Sequence, residues 1–434
     1  VNIKNLVKGN LLLKITSLNA ISIAVKLMVS IFVQRILAVT FGEIGIAKVG
    51  QIRNLINIIT STSSLGTLNG VVKYVAEFKE DQSRFSGLFS TAFIFVFTGS
   101  IISSGVLLFS ASHITMALFD DLEFLEIIRL LALFPFAMGL NMIFLGVING
   151  LSEYKKYTLI DLLSYLLSTV FILIGMYVYG LKGVICALVV SPLLQLVIIL
   201  CVSGKGLKKI IAIKELVLKV PYVKEMAAFA LMSFVSTVVL NYIELNIRTL
   251  ITEKISIEEA GYWTAMSLIS QNYMSFASGL FTLYVIPKFA RIYNGQVFKK
   301  EVLFIYTTIL PIFGTGMLLV YVFRNLIISI VYPNFTGIEP MFKWQLLGDF
   351  VRLASWVVAH QFLAKKMVKS FIFTELLSLG LFYFLSKYLV VIFGSVGVVM
   401  AHLYRCIIYF VVVIGVVWYY YSYLNDEKPN HVLD

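Results

Sequence analysis

The chain has 434 residues, of which 59% are hydrophobic and 13% charged, with a mean hydropathy of +0.93. Soluble domains average about 25% charge, so that class is excluded. At about 20 apolar residues per bilayer crossing, the membrane segments leave no room for a separate soluble domain, and the formal charge of +12 is spread between spans in a way that argues against nucleic acid as a partner.

The sequence opens on VNIKNLVKGNLLLKITSL, basic and then apolar, like a signal peptide. The apolar run continues well past a signal core without a small-residue cleavage site, so a retained first span is expected. Twelve spans are predicted. The first six cover 15–41, 45–76, 85–111, 122–150, 154–179 and 183–203; the second six cover 222–251, 261–289, 302–323, 341–364, 371–393 and 397–424. Several exceed the minimum length, which permits tilt. The apolar segment 326–332 predicts an interfacial turn or helix, not a further span. The basic stretch 204–221 predicts a linker on the cytoplasmic surface, near anionic headgroups.

Lys and Arg sort by loop parity: 22 fall on the side of Lys73, Lys155 and Lys208, and five on the side of Lys48, Lys182 and Lys387. The positive-inside rule then places both termini in the cytoplasm. An internal repeat accompanies this pattern. Asp161-Leu-Leu-Ser164 recurs 214 residues later as Glu375-Leu-Leu-Ser378, and Gly180-x-x-Gly183-Val184 recurs as Gly394-x-x-Gly397-Val398. Arg129 corresponds to Lys343, Lys73 to Lys288 and Arg35 to Arg248. Six spans per copy make the copies parallel, with a pseudo-axis along the membrane normal. The expected fold is therefore an all-α polytopic membrane protein, with twelve transmembrane helices in two parallel six-helix lobes around a central cavity. The lobes are 1–203 and 222–434, joined by the linker 204–221, with a short cytoplasmic tail at the end.

Eight basic residues remain inside spans. An ionisable group in hydrocarbon costs about 2.5 kcal/mol or more, so it normally faces a protein interior or a wet cavity. Arg352 is the leading candidate for anion binding, because it lies too near mid-span to snorkel. Asp349 is three residues earlier on the same face, and the ordinary alternative is a structural ion pair that locks two helices. Lys26 is also near mid-span, and Arg53 and Arg405 lie about two turns deep. Glu244 and Arg248 predict an i, i+4 pair. Arg35, Arg248, Arg129 and Lys343 lie nearer the external end, where snorkelling competes. Asp161, Glu244, Asp349 and Glu375 are candidates for charge pairing or for coupling to a proton or Na⁺ gradient. The excess of basic groups would draw an anion into a cavity, and one that must be accompanied into the membrane suits a lipid phosphate or diphosphate, which Arg matches with forked hydrogen bonds.

Cys186, Cys201 and Cys406 and the four His residues show no metal-ligand spacing, so neither a metal nor a cofactor is expected. Two rival functions stay open. A drug or small-solute antiporter would favour an acidic lumen. A glycan-assembly enzyme needs catalytic groups at a membrane face, and the short external loops offer only surface carboxylate words such as Asp120-Asp121.

The stretch QRILAVTFGEIGIAKVGQIRNLINIITSTSSLGTLNGVVKYVAEF, residues 34–78, resembles the bacterial O-antigen translocase and lipid III flippase family. Leu37-Ala38-Val39-x-Phe41-Gly42, the Arg53-centred span and Asn69-Gly70-Val71-x-Lys73-Tyr74-Val75-Ala76 carry the likeness. Trp344-Gln345-Leu346-x-Gly348-Asp349, with Ala364-Lys365 and Glu375 following, forms a second block. The resemblance implies the multidrug/oligosaccharidyl-lipid/polysaccharide exporter superfamily and alternating access. It implies movement of undecaprenyl-diphosphate-linked oligosaccharide to the periplasmic leaflet of the bacterial inner membrane. Membrane lipids, a glycan polymerase and chain-length proteins would be its further partners. Lys26, Arg35, Arg53, Arg248, Asp349, Arg352 and Glu375 carry over as site positions. Arg352 stands where a relative has Lys, which keeps the charge but alters the hydrogen-bond geometry. Arg405 has no counterpart and rests on its depth alone.

Overall fold

Apolar runs too long for one crossing decide the architecture. The computed structural model describes residues 11–424 apart from 79–80, 211–219, 282–284, 286–287, 290–291 and 366. The centre of the linker and the tail after 424 therefore lie outside the described residues. Among those described, the regular elements are helices only: α1 (Leu11–Ser64), α2 (Thr67–Phe78), α3 (Gln82–Phe109), α4 (Ala111–Phe119), α5 (Leu125–Leu131), α6 (Pro135–Gly150), α7 (Tyr154–Ile210), α8 (Val223–Ser233), α9 (Leu240–Lys254), α10 (Ile257–Leu280), α11 (Gly295–Val322), α12 (Arg324–Val331), α13 (Glu339–Ala364), α14 (Val368–Phe393) and α15 (Val396–Tyr419). A π-helical turn, Phe234–Val239, joins α8 to α9. The predicted interfacial segment after Arg324 is helical, as α12.

Seven described helices are long and apolar enough to cross a membrane, or eight if α5 and α6, bent by 44°, count as one. The chain is thus an all-helical, multi-pass membrane protein. Helix α13 is not among the seven, because Asp349 and Arg352 interrupt its apolar run. Two of the seven are unusually long. Helix α7 has 57 residues, about 85 Å if straight, against a hydrocarbon core of about 30 Å. It breaks at Gly180, with φ 60 and ψ −138. Backbone there is open essentially to glycine. Beyond the break Gly183 meets the backbone of Gly175, with no room for a Cβ. The second Gly-x-x-Gly word folds alike: Gly394 after α14 has φ 63 and ψ −149, and Gly397 presses on the backbone of Leu389 and Val390. Helix α1 breaks the same way at Gly42, with φ 61 and ψ −159.

The chain groups into two compact units, 1–33 with 48–246, and 34–47 with 247–434. This grouping exchanges segments relative to a cut at 204–221. In the first unit α2, α3, α6, α7 and α8 pack together around Val71, Val75, Leu88, Phe89, Ile143 and Val147. In the second, α13, α14 and α15 form the tightest group and α10 and α11 lie against α13. Large apolar side chains face outward, among them Phe109, Tyr177 and Val391. Lipid tails are as apolar as those side chains, so helix association in such a fold rests on close packing and on polar contacts between helices. Those polar contacts are where the candidate site residues are found.

Candidate functional site

Helix α13 carries Asp349 into the interior of the second unit, where its side chain is 0% exposed. A carboxylate can be buried there only if its lone pairs are taken up. Four donors do so. Ser270 Oγ and Tyr273 OH of α10 donate to Oδ2, the serine at 2.6 Å. Gln345 Nε2, one turn back on α13, donates to the same oxygen at 3.0 Å. His402 Nε2 of α15 lies 3.0 Å from Oδ1, and Arg405 lies 3.2 Å from His402 Nδ1. One tautomer satisfies this chain: Arg405 donates to Nδ1 and Nε2–H donates to Asp349.

The sequence puts Asp349 and Arg352 on one helix face; the structure gives the carboxylate its hydrogen bonds from Ser270, Tyr273, Gln345 and His402. Arg352 instead stacks its guanidinium over the Trp356 ring at 4.6 Å. Among the described residues no hydrogen bond or ion pair holds its N–H groups, although Asp349 and Glu375 are both within electrostatic reach. Its five donors are therefore available to an incoming anion. Glu375 on α14 accepts from Tyr409 OH at 3.2 Å and is also within reach of Arg405. Arg405 is 8% exposed and packs over Phe382 at 4.1 Å. The structure thus brings Asp349, Arg352, Glu375 and Arg405 into one neighbourhood of the second unit.

Two other candidates of that unit have structural work. Arg35 donates to the carbonyls of Ser329 and Ile330 at the end of α12, where the negative pole of a helix favours a cation. Arg248 is 3% exposed, donates from Nε to Thr264 Oγ1 at 2.9 Å and lies over Trp263. The predicted Glu244–Arg248 pair is replaced by separate partners. Glu244 accepts from Asn54 Nδ2 at 3.2 Å.

In the first unit Lys26 Nζ meets Asp161 Oδ2 at 2.6 Å, with the two side chains 27% and 44% exposed. The sequence proposes these two residues separately, and they are 135 positions apart. Arg53 lies near Tyr165, which also bonds Ser30. Of the outer pair, Arg129 is exposed and bound to Glu126 at 2.7 Å. Lys343 is exposed beside Trp344 and borders an apolar groove of about 500 Å³ between α11 and α13.

Sequence reasoning missed Ser270, Tyr273, Gln345 and His402, and also Asn54, which meets Glu244. Gln345 had a signal, one turn from Asp349 in a quoted motif; the others are ordinary residues until the helices are assembled.

The chain is similar to known proteins over most of its length. A family model described as "Polysaccharide biosynthesis protein" matches residues 33–336, well over half of the chain. The lipid III flippase of Escherichia coli strain K12 is 25% identical over 407 residues, covering 92% of this chain and 96% of that one. Among solved structures, the inward-facing conformation of a multidrug resistance MATE family transporter of the MOP superfamily aligns with a TM-score of 0.72 at 14% identity, covering 96% of each chain. The lipid II flippase MurJ, in an inward closed conformation, aligns with a TM-score of 0.68 at 15% identity, covering 92% of this chain and 87% of that one. At such identities the two structures speak for the fold.

Proposed function

The chain belongs to the polysaccharide biosynthesis protein family, and from that membership we propose that it is a flippase for lipid-linked oligosaccharide. It moves undecaprenyl-diphosphate-linked repeat units, of O-antigen or enterobacterial common antigen type, from the cytoplasmic to the periplasmic leaflet of the bacterial inner membrane. No covalent step is needed; the task is to carry a charged, hydrated headgroup past hydrocarbon while its tail stays in the bilayer.

The observation that carries this reading is Arg352. A guanidinium at that depth, with donors uncommitted and Asp349 satisfied elsewhere, suits a diphosphate that must be held and then released. Arg matches such a group through paired hydrogen bonds. Lys26, Arg53 and Arg405 are the next candidates for headgroup contact, whereas Arg35 and Arg248 support the frame that holds it. Asp161, Glu244, Asp349 and Glu375 couple the cycle to an ion gradient in this reading. Twelve spans follow if α1, broken at Gly42, and α7, broken at Gly180, each supply two crossings, α5 with α6 supplies one, and α10 and α13 cross as well. Two six-helix lobes, 1–203 and 222–434, then alternate access to a central cavity, and both termini are cytoplasmic. A glycan polymerase and chain-length proteins would take the product.

Transbilayer movement of an undecaprenyl-diphosphate oligosaccharide in proteoliposomes tests this. Wild-type protein should move the lipid, and Arg352→Ala should slow it tenfold or more, about the value of one charge-assisted hydrogen bond. Wild-type protein that moves no such lipid under an imposed ion gradient, yet exchanges cationic solutes, would be a drug antiporter instead.

A further inference from the structure

A ladder of asparagines ending on one carboxylate crosses the middle of the first unit, and the headgroup cation site does not account for it. Asn54 Nδ2 donates to Glu244 Oε2 at 3.2 Å and lies 3.4 Å from the Asn241 carbonyl. Asn57 Nδ2 donates to Asn241 Oδ1 at 3.1 Å, and Asn241 in turn donates to Thr237 O at 2.8 Å. Asn57 is twelve residues past Gly45, about 18 Å along the helix, and Glu244 is ten residues before Lys254, about 15 Å. Both therefore lie near the centre of a hydrocarbon core about 30 Å thick.

Helix-to-helix glue would close every group on itself. This ladder is closed on one side only. Asn54 and Asn241 are buried, but Asn57 is exposed and Glu244 half-buried. Among the described residues neither Asn57 Oδ1 nor Glu244 Oε1 receives a donor. An exposed amide and a half-exposed carboxylate at this depth cannot face lipid without large cost, so they face a wet passage. Together they offer two acceptors and an N–H donor, the complement of adjacent hydroxyl groups on a sugar ring. Arg53 lies four residues before Asn57, on the same helix face and about 6 Å along the axis, which is the scale separating a diphosphate from the hydroxyls of the sugar attached to it.

Resting on the flippase reading, we infer that Asn57 and Glu244, braced by Asn54 and Asn241, form a subsite for the hydroxyls of the sugar next to the diphosphate. The cationic residues hold the phosphate and this ladder reads the glycan.

The test compares two probes on purified protein by native mass spectrometry: undecaprenyl diphosphate, and the same lipid bearing one N-acetylglucosamine. Wild type should bind the sugar-bearing lipid about tenfold more tightly, the effect expected of a hydrogen bond to a charged group. Asn57→Ala and Glu244→Gln should each bring that ratio towards one, and Asn57→Ala should leave affinity for the bare lipid within about twofold. Asn57 is exposed, so its substitution should fold even if Glu244→Gln does not. An unchanged ratio in both variants, equal weakening for both lipids, or no preference in wild type overturns the subsite while leaving the flippase reading intact. Binding of neither lipid by wild type removes both.

Discussion

Arg352 and Asp349 are neighbours with opposite circumstances, and each predicts its own phenotype. Arg352 keeps its donors open, so removing the fork while keeping the charge isolates geometry from electrostatics. Arg352→Lys should bind undecaprenyl diphosphate about tenfold more weakly than wild type, with an unchanged unfolding temperature. Equal affinity would reduce Arg352 to a point charge. Asp349 is the reverse case. Asp349→Ala strands the Ser270, Tyr273, Gln345 and His402 donors in the interior and should cost about 2 kcal/mol or more. Thermal unfolding in detergent should show a clear loss for Asp349→Ala and a smaller one for Asp349→Asn, which retains an acceptor oxygen. Both residues were legible in the sequence because an ionisable group in an apolar run stands out against its cost. Their partners were not. Ser270 and His402 lie 79 and 53 positions from Asp349, and nothing in an apolar run distinguishes a serine that accompanies a carboxylate from one that bonds its own helix.

At the scale of elements, the Gly-x-x-Gly words were legible as a repeat, and the structure gives their physical cause. Gly180 and Gly394 hold backbone that other residues avoid. Gly180→Ala and Gly394→Ala should each lower stability by about 1–3 kcal/mol, measured by unfolding of the purified variants. A loss at one word only would break the equivalence of the two copies. Arg35 was legible as an in-span cation but not as a helix cap, since its partners, the carbonyls of Ser329 and Ile330, are 294 and 295 residues away. Arg35→Ala should therefore cost about 1 kcal/mol of stability, with translocation per folded molecule retained; a selective loss of translocation would return it to the headgroup site.

For the whole molecule, the topology proposed from loop charge and the Gly breaks can be read chemically. On a background lacking Cys186, Cys201 and Cys406, Lys182→Cys should react with a membrane-impermeant maleimide in intact cells. Lys155→Cys should react only after permeabilisation. Labelling of both Lys155→Cys and Lys182→Cys from outside would undo the reading of α7 as two crossings. The grouping of 34–47 with the second unit and of 223–246 with the first was not visible in the sequence. Hydropathy and charge report how each segment meets the bilayer; they do not report which helices share side-chain contacts.

The π-helical turn Phe234–Val239 gives the sugar ladder an angular phase. A π turn holds one residue more than the regular spiral needs, and each residue advances a helix by about 100°. Inserting one alanine between Leu240 and Asn241, in the regular helix past the turn, would leave the apolar content of this segment almost unchanged, and the chain should still insert. It would nevertheless swing Asn241 and Glu244 a quarter of a circle or more away from Asn54 and Asn57. Such an insertion should uncouple abundance from transport: normal amounts of protein in the membrane, and a carrier that no longer tells a glycosylated lipid from a bare one.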